Sequence, residues 1–175
     1  RGKTKFPPLL SPFLVHHQWK GVKLEVTGYA GAYHLSDNIA QHTDHIVHLC
    51  AGSGSVPNVS ILKWALAHLP GLRHTFIYSN KTWNDIIYRD ELARMERANP
   101  DRLRVIHTIT REPDGFVYSD CVRKGRCSAQ LLAELVPDLM SSVVFACGPA
   151  VTVWEKREAK AAGIAPTPRF MESVM

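Results

Sequence analysis

No stretch of this 175-residue sequence approaches the roughly 20 consecutive apolar residues that a membrane-spanning helix needs. No basic start followed by an apolar core marks a secretory signal. A membrane span is therefore not expected. A large charge of one sign is also missing. The 21 Lys and Arg against 16 Asp and Glu leave +5, and the densest basic cluster, Arg123-Lys124-Gly125-Arg126, is too short to argue for nucleic acid. No nucleic acid is expected as a partner; a mild basic excess suits an anionic cofactor or an acidic partner. Cysteine is sparse: Cys50, Cys121, Cys127 and Cys147. Cys121 and Cys127 match no common zinc spacing. Cys50 and Cys147 fall in apolar segments, where a reduced cysteine acts as a small hydrophobe. A reducing, cytoplasmic setting is expected. His42, His45 and His48 cross a linker into a strand and should not share a face, so no metal is expected. No internal repeat is evident. The chain starts at Arg1 rather than Met and reads as a fragment or a processed product.

What is present is enough apolar residue, 45% with only 21% charged, to build a folded core rather than a disordered chain. Residues 1–20, with Pro7, Pro8 and Pro12, read as irregular. Residues 22–27 alternate, with Val22, Leu24 and Val26 on one face, which predicts a half-buried strand. Residues 28–33 read as a glycine turn and 34–44 as a linker. From residue 45 the rhythm changes. Apolar strands are expected at 46–51, 74–79, 103–110 and 142–147. Between them fall helical patterns: one from Pro57 with Leu62, Ala65, Leu66 and Leu69 inward, one after the Thr82/Asp85 pair with Tyr88, Leu92 and Met95 inward, and one capped by Ser128. A last helix should stop at Gly163. Residues 111–126 read as a long loop, and 168–173 as a short final strand. Strands alternating with helices imply a parallel sheet covered on both faces.

The stretch "CAGSGSVPNVS" (50–60) is a strand, a glycine turn and a helix start. Three readings stand. It could be a plain turn. It could be a phosphate cradle, in which Gly52 and Gly54 admit a pyrophosphate and the helix start offers free N–H groups. It could be a nucleophile elbow with Ser53 as nucleophile of an α/β serine hydrolase, which would need a late histidine; only His68, His74 and His107 follow. At the same sheet edge Thr110 and Arg111 end the third strand. Ser79, Asn80 and Lys81 end the second, with no acidic residue to hold a ribose 2′-hydroxyl; Lys81 and Arg111 suit a 2′-phosphate, which favours NADP over NAD. Cys147-Gly148-Pro149 ends the fourth. Cys147 would need a base to act as a nucleophile, but none as a thiol lining a cofactor pocket.

"HIVHLCAGSGSVPNVSILKWAL", "TFIYSNKTWNDIIYRDEL", "TITREP" and "VFACGPA", in this order, resemble the pyridine-nucleotide domain of the ferredoxin–NADP reductase superfamily, in the flavour of the reductase components of oxygenases. The resemblance runs from about residue 45 to 172. The family's turn reads Gly-Ser-Gly-x-x-Pro, so Pro57 matches it. "LSPFLVHHQWKGVKLEVTGYAGAYHL" is similar to the closing part of the family's flavin-binding barrel, although the Arg-x-Tyr-Ser flavin motif is absent. The resemblance implies an α/β fold, a parallel Rossmann-like sheet with helices on both faces, preceded by a remnant of an antiparallel flavin-binding β-barrel. It implies an incomplete FAD-binding domain over 1–44 and an NAD(P)-binding domain over 45–175. Gly52, Ser53, Gly54 and Pro57 would form the pyrophosphate turn. Thr110 and Arg111, with Ser79, Asn80 and Lys81, would take the adenosine end. Cys147, as the candidate catalytic residue, would wall the nicotinamide with Gly148 and Pro149. Glu172 matches the acidic residue near the family's C-terminal end. The implied activity is hydride transfer from NAD(P)H to FAD, then electrons onward to an iron–sulfur protein or oxygenase. The plant-type [2Fe–2S] cysteine spacing is absent. A nucleotide-binding module without redox activity is the non-enzyme alternative.

Overall fold

The computed structural model of the chain describes residues 10–28 and 30–174. Two compact units divide it, Arg1–Ala32 and Tyr33–Met175.

The first unit holds helix α1 (Leu10–His16) within residues expected to be irregular. Pro12 falls in its first turn, where a missing N–H costs nothing; Pro7 and Pro8 lie outside the described residues. Trp19 Nε1 donates to the Leu14 carbonyl at 2.7 Å, and its ring meets Phe13 edge-on at 5.2 Å. Residues 22–27 do not form the expected strand. Their alternation supplies an apolar face, but a ladder also needs a neighbouring strand. None pairs with them among the described residues, and Val22, Leu24 and Val26 stay exposed. Among the described residues no strand of the expected barrel remnant is therefore seen.

The second unit is built on five strands: β1 (His45–Ala51), β2 (Arg73–Asn80), β3 (Leu103–Ile109), β4 (Val122–Lys124) and β5 (Val143–Cys147). Their order is β4-β3-β2-β1-β5, and every pair is parallel. The linker carries a one-turn helix, α2 (Ile39–His42). The longer helices are α3 (Ser55–His68), α4 (Arg89–Ala98), α5 (Ala129–Leu135) and α6 (Val153–Ala161), followed by α7 (Phe170–Val174). Side chains alternate across each strand. Cys50, Phe76, Tyr78, Val105 and Ile109 pack with Val59 and Leu62 of α3 and Leu92 of α4. Val47, Leu49, Ile77 and Ile106 pack on the other face with Leu132 and Leu135 of α5 and with Phe170 and Val174 of α7. The Rossmann-like α/β architecture is thus the one the strand–helix alternation implies.

Three local expectations are corrected. The loop over 111–126 contains β4, which extends the sheet past β3. The Thr82/Asp85 capping box forms, but on a single 3-10 turn, Trp83–Asp85, and α4 starts only at Arg89. Residues expected as a last strand form α7 instead. Phe170 joins the apolar layer under the sheet, and the Glu172 carboxylate accepts from the Arg169 N–H, closing the first turn.

Arg102 ties the end of α3 to the sheet. Its guanidinium donates to the carbonyls of Leu66, Leu69 and Leu72 at 3.3, 2.8 and 3.1 Å. A helix C-terminus leaves carbonyls unpaired and carries the negative end of the dipole. Arg102→Met should lower stability by about 2–3 kcal/mol, read as a lower urea midpoint at unchanged slope. Arg102→Lys keeps the charge without the planar fork and should recover only part of the loss.

Candidate functional site

All five strands run the same way, so their carboxyl ends share one edge. The order reverses at β1, which is flanked by β2 on one side and β5 on the other. Such a switch point opens a crevice outside the strand ends. Gly52–Gly54 turns the chain there in a 3-10 turn that runs straight into α3. Gly52 sits at φ +53, a left-handed conformation open to glycine at little cost. Gly54 is needed for a different reason: a Cβ there would lie 2.2 Å from the Cys147 carbonyl oxygen. The turn after β1 thus packs directly on the end of β5.

The turn is also held from below. The Gly52 carbonyl accepts from the Ser55 and Tyr78 hydroxyls, both at 2.9 Å. Asn58 Nδ2 donates to the Gly54 carbonyl at 3.2 Å. That bond orients the amide, so Oδ1 is left to accept from Tyr33 at 3.3 Å and from His48 Nδ1 at 3.1 Å. His48 must then carry its proton on Nδ1, and its Nε2 accepts from His74 Nδ1 at 3.3 Å. His74 Nε2 is left as a bare buried acceptor without a partner. Burial pushes the His48 imidazole down to about 3, with His74 adding to the effect, and pushes His74 down to about 4. His107, also buried, is pushed down to about 4.

On the β2–β3 side the pairing continues past the strands. The Thr110 N–H donates to the Asn80 and Lys81 carbonyls, and the Arg111 N–H donates to the Lys81 carbonyl at 2.7 Å. Lys81 and Arg111 therefore stand side by side at the edge of the crevice. Asn80 Nδ2 is buried there without a hydrogen-bond partner. Glu112 turns back to accept the Trp83 N–H.

These parts line one cleft of about 1310 Å3. Of the residues singled out in the sequence, Gly52, Ser79, Asn80, Lys81, Thr110, Arg111 and Pro149 lie on its wall. Ser79 contributes little by its side chain, since its hydroxyl is spent on Thr108 at 2.5 Å. The cleft wall does not include Ser53, Gly54, Pro57, Cys147, Gly148 or Glu172. Gly54 is covered by the Cys147 carbonyl, and Gly148 lies under the Phe170 ring, which a Cβ would meet at 2.4 Å. Pro57 faces a separate apolar groove with Tyr33, Ile61 and Trp64. Both Glu172 oxygens are occupied, by the Val151 and Arg169 N–H groups. Among the described residues no histidine hydrogen-bonds Ser53, and His74 and His107 are buried. His45 and His48 project to different partners: His45 bonds Asp138 and Thr75, whereas His48 bonds Asn58 and His74.

The structure adds Arg126, Arg169 and Phe170 to the wall. Arg126 had a signal, as the last residue of the basic cluster and just past β4. Arg169 and Phe170 had none, because only the path of the C-terminal segment across the sheet edge brings them in. The cleft fits a dinucleotide in three respects. A glycine turn leads into a helix N-terminus, two cations stand at the neighbouring strand ends, and a buried amide lacks a partner.

A parallel sheet with a glycine turn at its switch point and basic residues at the next strand ends defines a nucleotide-binding α/β domain. Residues 49–153 match the family model of the oxidoreductase NAD-binding domain. The chain belongs to that family, within the ferredoxin–NADP reductase-like superfamily. It is 32% identical over 152 residues to the ferredoxin reductase component of the 3-ketosteroid-9-alpha-monooxygenase of Mycobacterium tuberculosis, covering 87% of this chain and 38% of that protein. It is 30% identical over 108 residues to NADH-cytochrome b5 reductase 2 of Homo sapiens, covering 61% and 38%. In fold it is similar to the CS-b5R domains of human Ncb5or in the NAD+ form, with TM-score 0.60 and 23% identity over 89% of this chain and 42% of that one. It is also similar to the Amycolatopsis cytochrome P450 reductase GcoB, with TM-score 0.57 and 23% identity over 79% and 40%. The chain spans 38% of the length of each of these two curated relatives. Among the described residues no helix is long and apolar enough to cross a membrane.

Proposed function

We propose that this chain is the pyridine-nucleotide half of a flavin-dependent reductase that draws hydride from NAD(P)H and passes electrons to an iron–sulfur or oxygenase partner in the cytoplasm. The observation that carries the reading is the union of Gly52, Lys81, Thr110, Arg111 and Pro149 on one cleft wall at the switch point. The reductases among its relatives support it. The FAD, when bound, supplies hydride acceptance and the release of single electrons. This chain's residues bind and orient the nucleotide. Gly52, the one residue of the turn on the cleft wall, brings the start of the turn to the diphosphate, and Lys81 and Arg111 take the adenosine end. Pro149 and Phe170 bound the nicotinamide side on the cleft wall, with Cys147 and Gly148 behind them. No side chain has to move a proton. The segment before Tyr33 belongs, in this reading, to the flavin domain. Its exposed Val22, Leu24 and Val26 then form the face that meets the rest of that domain.

Titration of the full-length protein with NADPH and NADH, alongside its visible spectrum, tests the proposal. Binding of neither nucleotide and no flavin absorbance would overturn it. Nucleotide binding without electron transfer would leave a binding module instead. The 2′-phosphate preference has its own test. Arg111→Ala should weaken NADPH by about tenfold, the scale of one charge-assisted contact, and NADH by much less. Equal losses would refute the NADP assignment.

A further inference from the structure

The turn after β1 holds its first peptide in one orientation. Gly52 sits at φ +53, and its carbonyl accepts the Ser55 N–H within the 3-10 turn. The orientation of the Gly52–Ser53 peptide decides whether its carbonyl or its N–H faces outward, beside the cleft that Gly52 lines. A trans peptide points the two in opposite directions. Only the N–H suits an anion; the carbonyl would repel one.

Beyond the Ser55 N–H, two side chains hold that carbonyl. Tyr78 stands opposite Cys50 in the β1–β2 register, and its long side chain reaches under the turn. Its hydroxyl donates to the Gly52 carbonyl at 2.9 Å. The Ser55 hydroxyl lies 2.9 Å from the same carbonyl and 2.9 Å from the Tyr78 oxygen. The three oxygens close a triangle whose two side chains are completely buried, each at 0% exposure. The Gly52 carbonyl is thus drawn into the interior, and the Ser53 N–H is turned the other way, on a residue that is exposed.

We infer that Tyr78 and Ser55 are positioning residues for the dinucleotide. They lock the Gly52–Ser53 peptide with its N–H outward, as a preorganised donor for the diphosphate bridge. The inference rests on the proposed nucleotide site and adds residues to it that touch no ligand. The two hydroxyls share one acceptor and touch each other at 2.9 Å, so they are expected to act as a coupled unit. Removing both should then cost little more than removing one.

The test uses the full 175-residue chain, with Tyr78→Phe, Ser55→Ala and the double variant. NADH affinity is measured by titration, and the Ser53 amide is followed by 15N–1H NMR during it. Adenosine, which lacks the diphosphate, serves as the control ligand. Each single variant should weaken NADH by about tenfold, as the loss of an oriented donor implies. Each should abolish the Ser53 amide shift on binding and leave adenosine affinity within about twofold. The double variant should match the weaker-binding single one. A Tyr78→Phe variant with wild-type NADH affinity and an unchanged Ser53 shift overturns the inference. So does an equal loss for NADH and adenosine, which would make the hydroxyls a general support of the cleft. Wild-type protein that binds no NADH overturns the site reading itself, and the inference with it.

Discussion

Gly54→Ala should lower stability by about 1–3 kcal/mol, the usual cost of overpacking, and should weaken NADH by at least tenfold. The added methyl would stand 2.2 Å from the Cys147 oxygen, 2.6 Å from its carbonyl carbon and 2.9 Å from the Gly148 Cα. All three are backbone atoms, so no rotamer change relieves the clash. Either the turn lifts from β5 or β5 shifts in the sheet. Both movements change the crevice between β1 and β5, so stability and binding fall together. Gly52 provides the contrast. Its Cβ would meet nothing within 4 Å, and its demand is only the positive φ, which Asn tolerates. Gly52→Asn should therefore cost less stability than Gly54→Ala. Urea midpoints and NADH titrations of the two variants check this. A Gly54→Ala protein within about 0.5 kcal/mol of wild type would show that the close approach is not needed.

Acid should unfold this protein unusually early. His48, His74 and His107 are 0%, 2% and 7% exposed, and burial pushes them down to about 3, 4 and 4. In the unfolded chain each titrates near 6.5. The folded values lie below the unfolded ones, so the unfolded state takes up protons first as pH falls. Stability is therefore complete above about pH 7 and lost from about 6.5 down towards 4. By pH 5 each histidine removes about 2 kcal/mol, and the three together about 6. A domain has roughly 5–15 kcal/mol in all, so the loss is decisive. The urea midpoint should fall steeply between pH 7 and 5. His48→Gln, which keeps a polar group near Asn58, should remove about one third of that slope. A midpoint that stays flat from pH 7 to 5 would contradict the burial of all three.

The strands from β1 onward were legible because each is a short apolar run bounded by turn residues, and α3 was legible because Pro57 and its apolar stripe mark it. Ser128 and Gly163 marked helix ends for equally local reasons: the Ser128 hydroxyl accepts from the Leu131 N–H, and Gly163 takes the left-handed conformation, φ +67, beyond α6. The half of the cleft at the ends of β1, β2 and β3 was legible too, because strand-end residues in parallel sheets converge on one edge. What local pattern misread was neighbour-dependent. Residues 22–27 have a strand's alternation but, among the described residues, no strand beside them. Residues 168–173 were long enough for a strand, yet Phe170 found more apolar surface by lying across Gly148 as part of a helix.

The amino-acid order by itself determined the parallel α/β architecture, the glycine turn and the basic strand ends, since periodicity, capping and turn chemistry act within a few residues. Only the tertiary structure decided that β5 lies beside β1. That placement puts the Cys147 carbonyl against Gly54 and Phe170 over Gly148. The β1–β2 register likewise puts the Tyr78 hydroxyl under Gly52, and the fold buries His48, His74 and His107 without an acidic partner among the described residues. These contacts join residues 20 to nearly 100 positions apart. No local propensity encodes them; they follow from which apolar faces can be buried together.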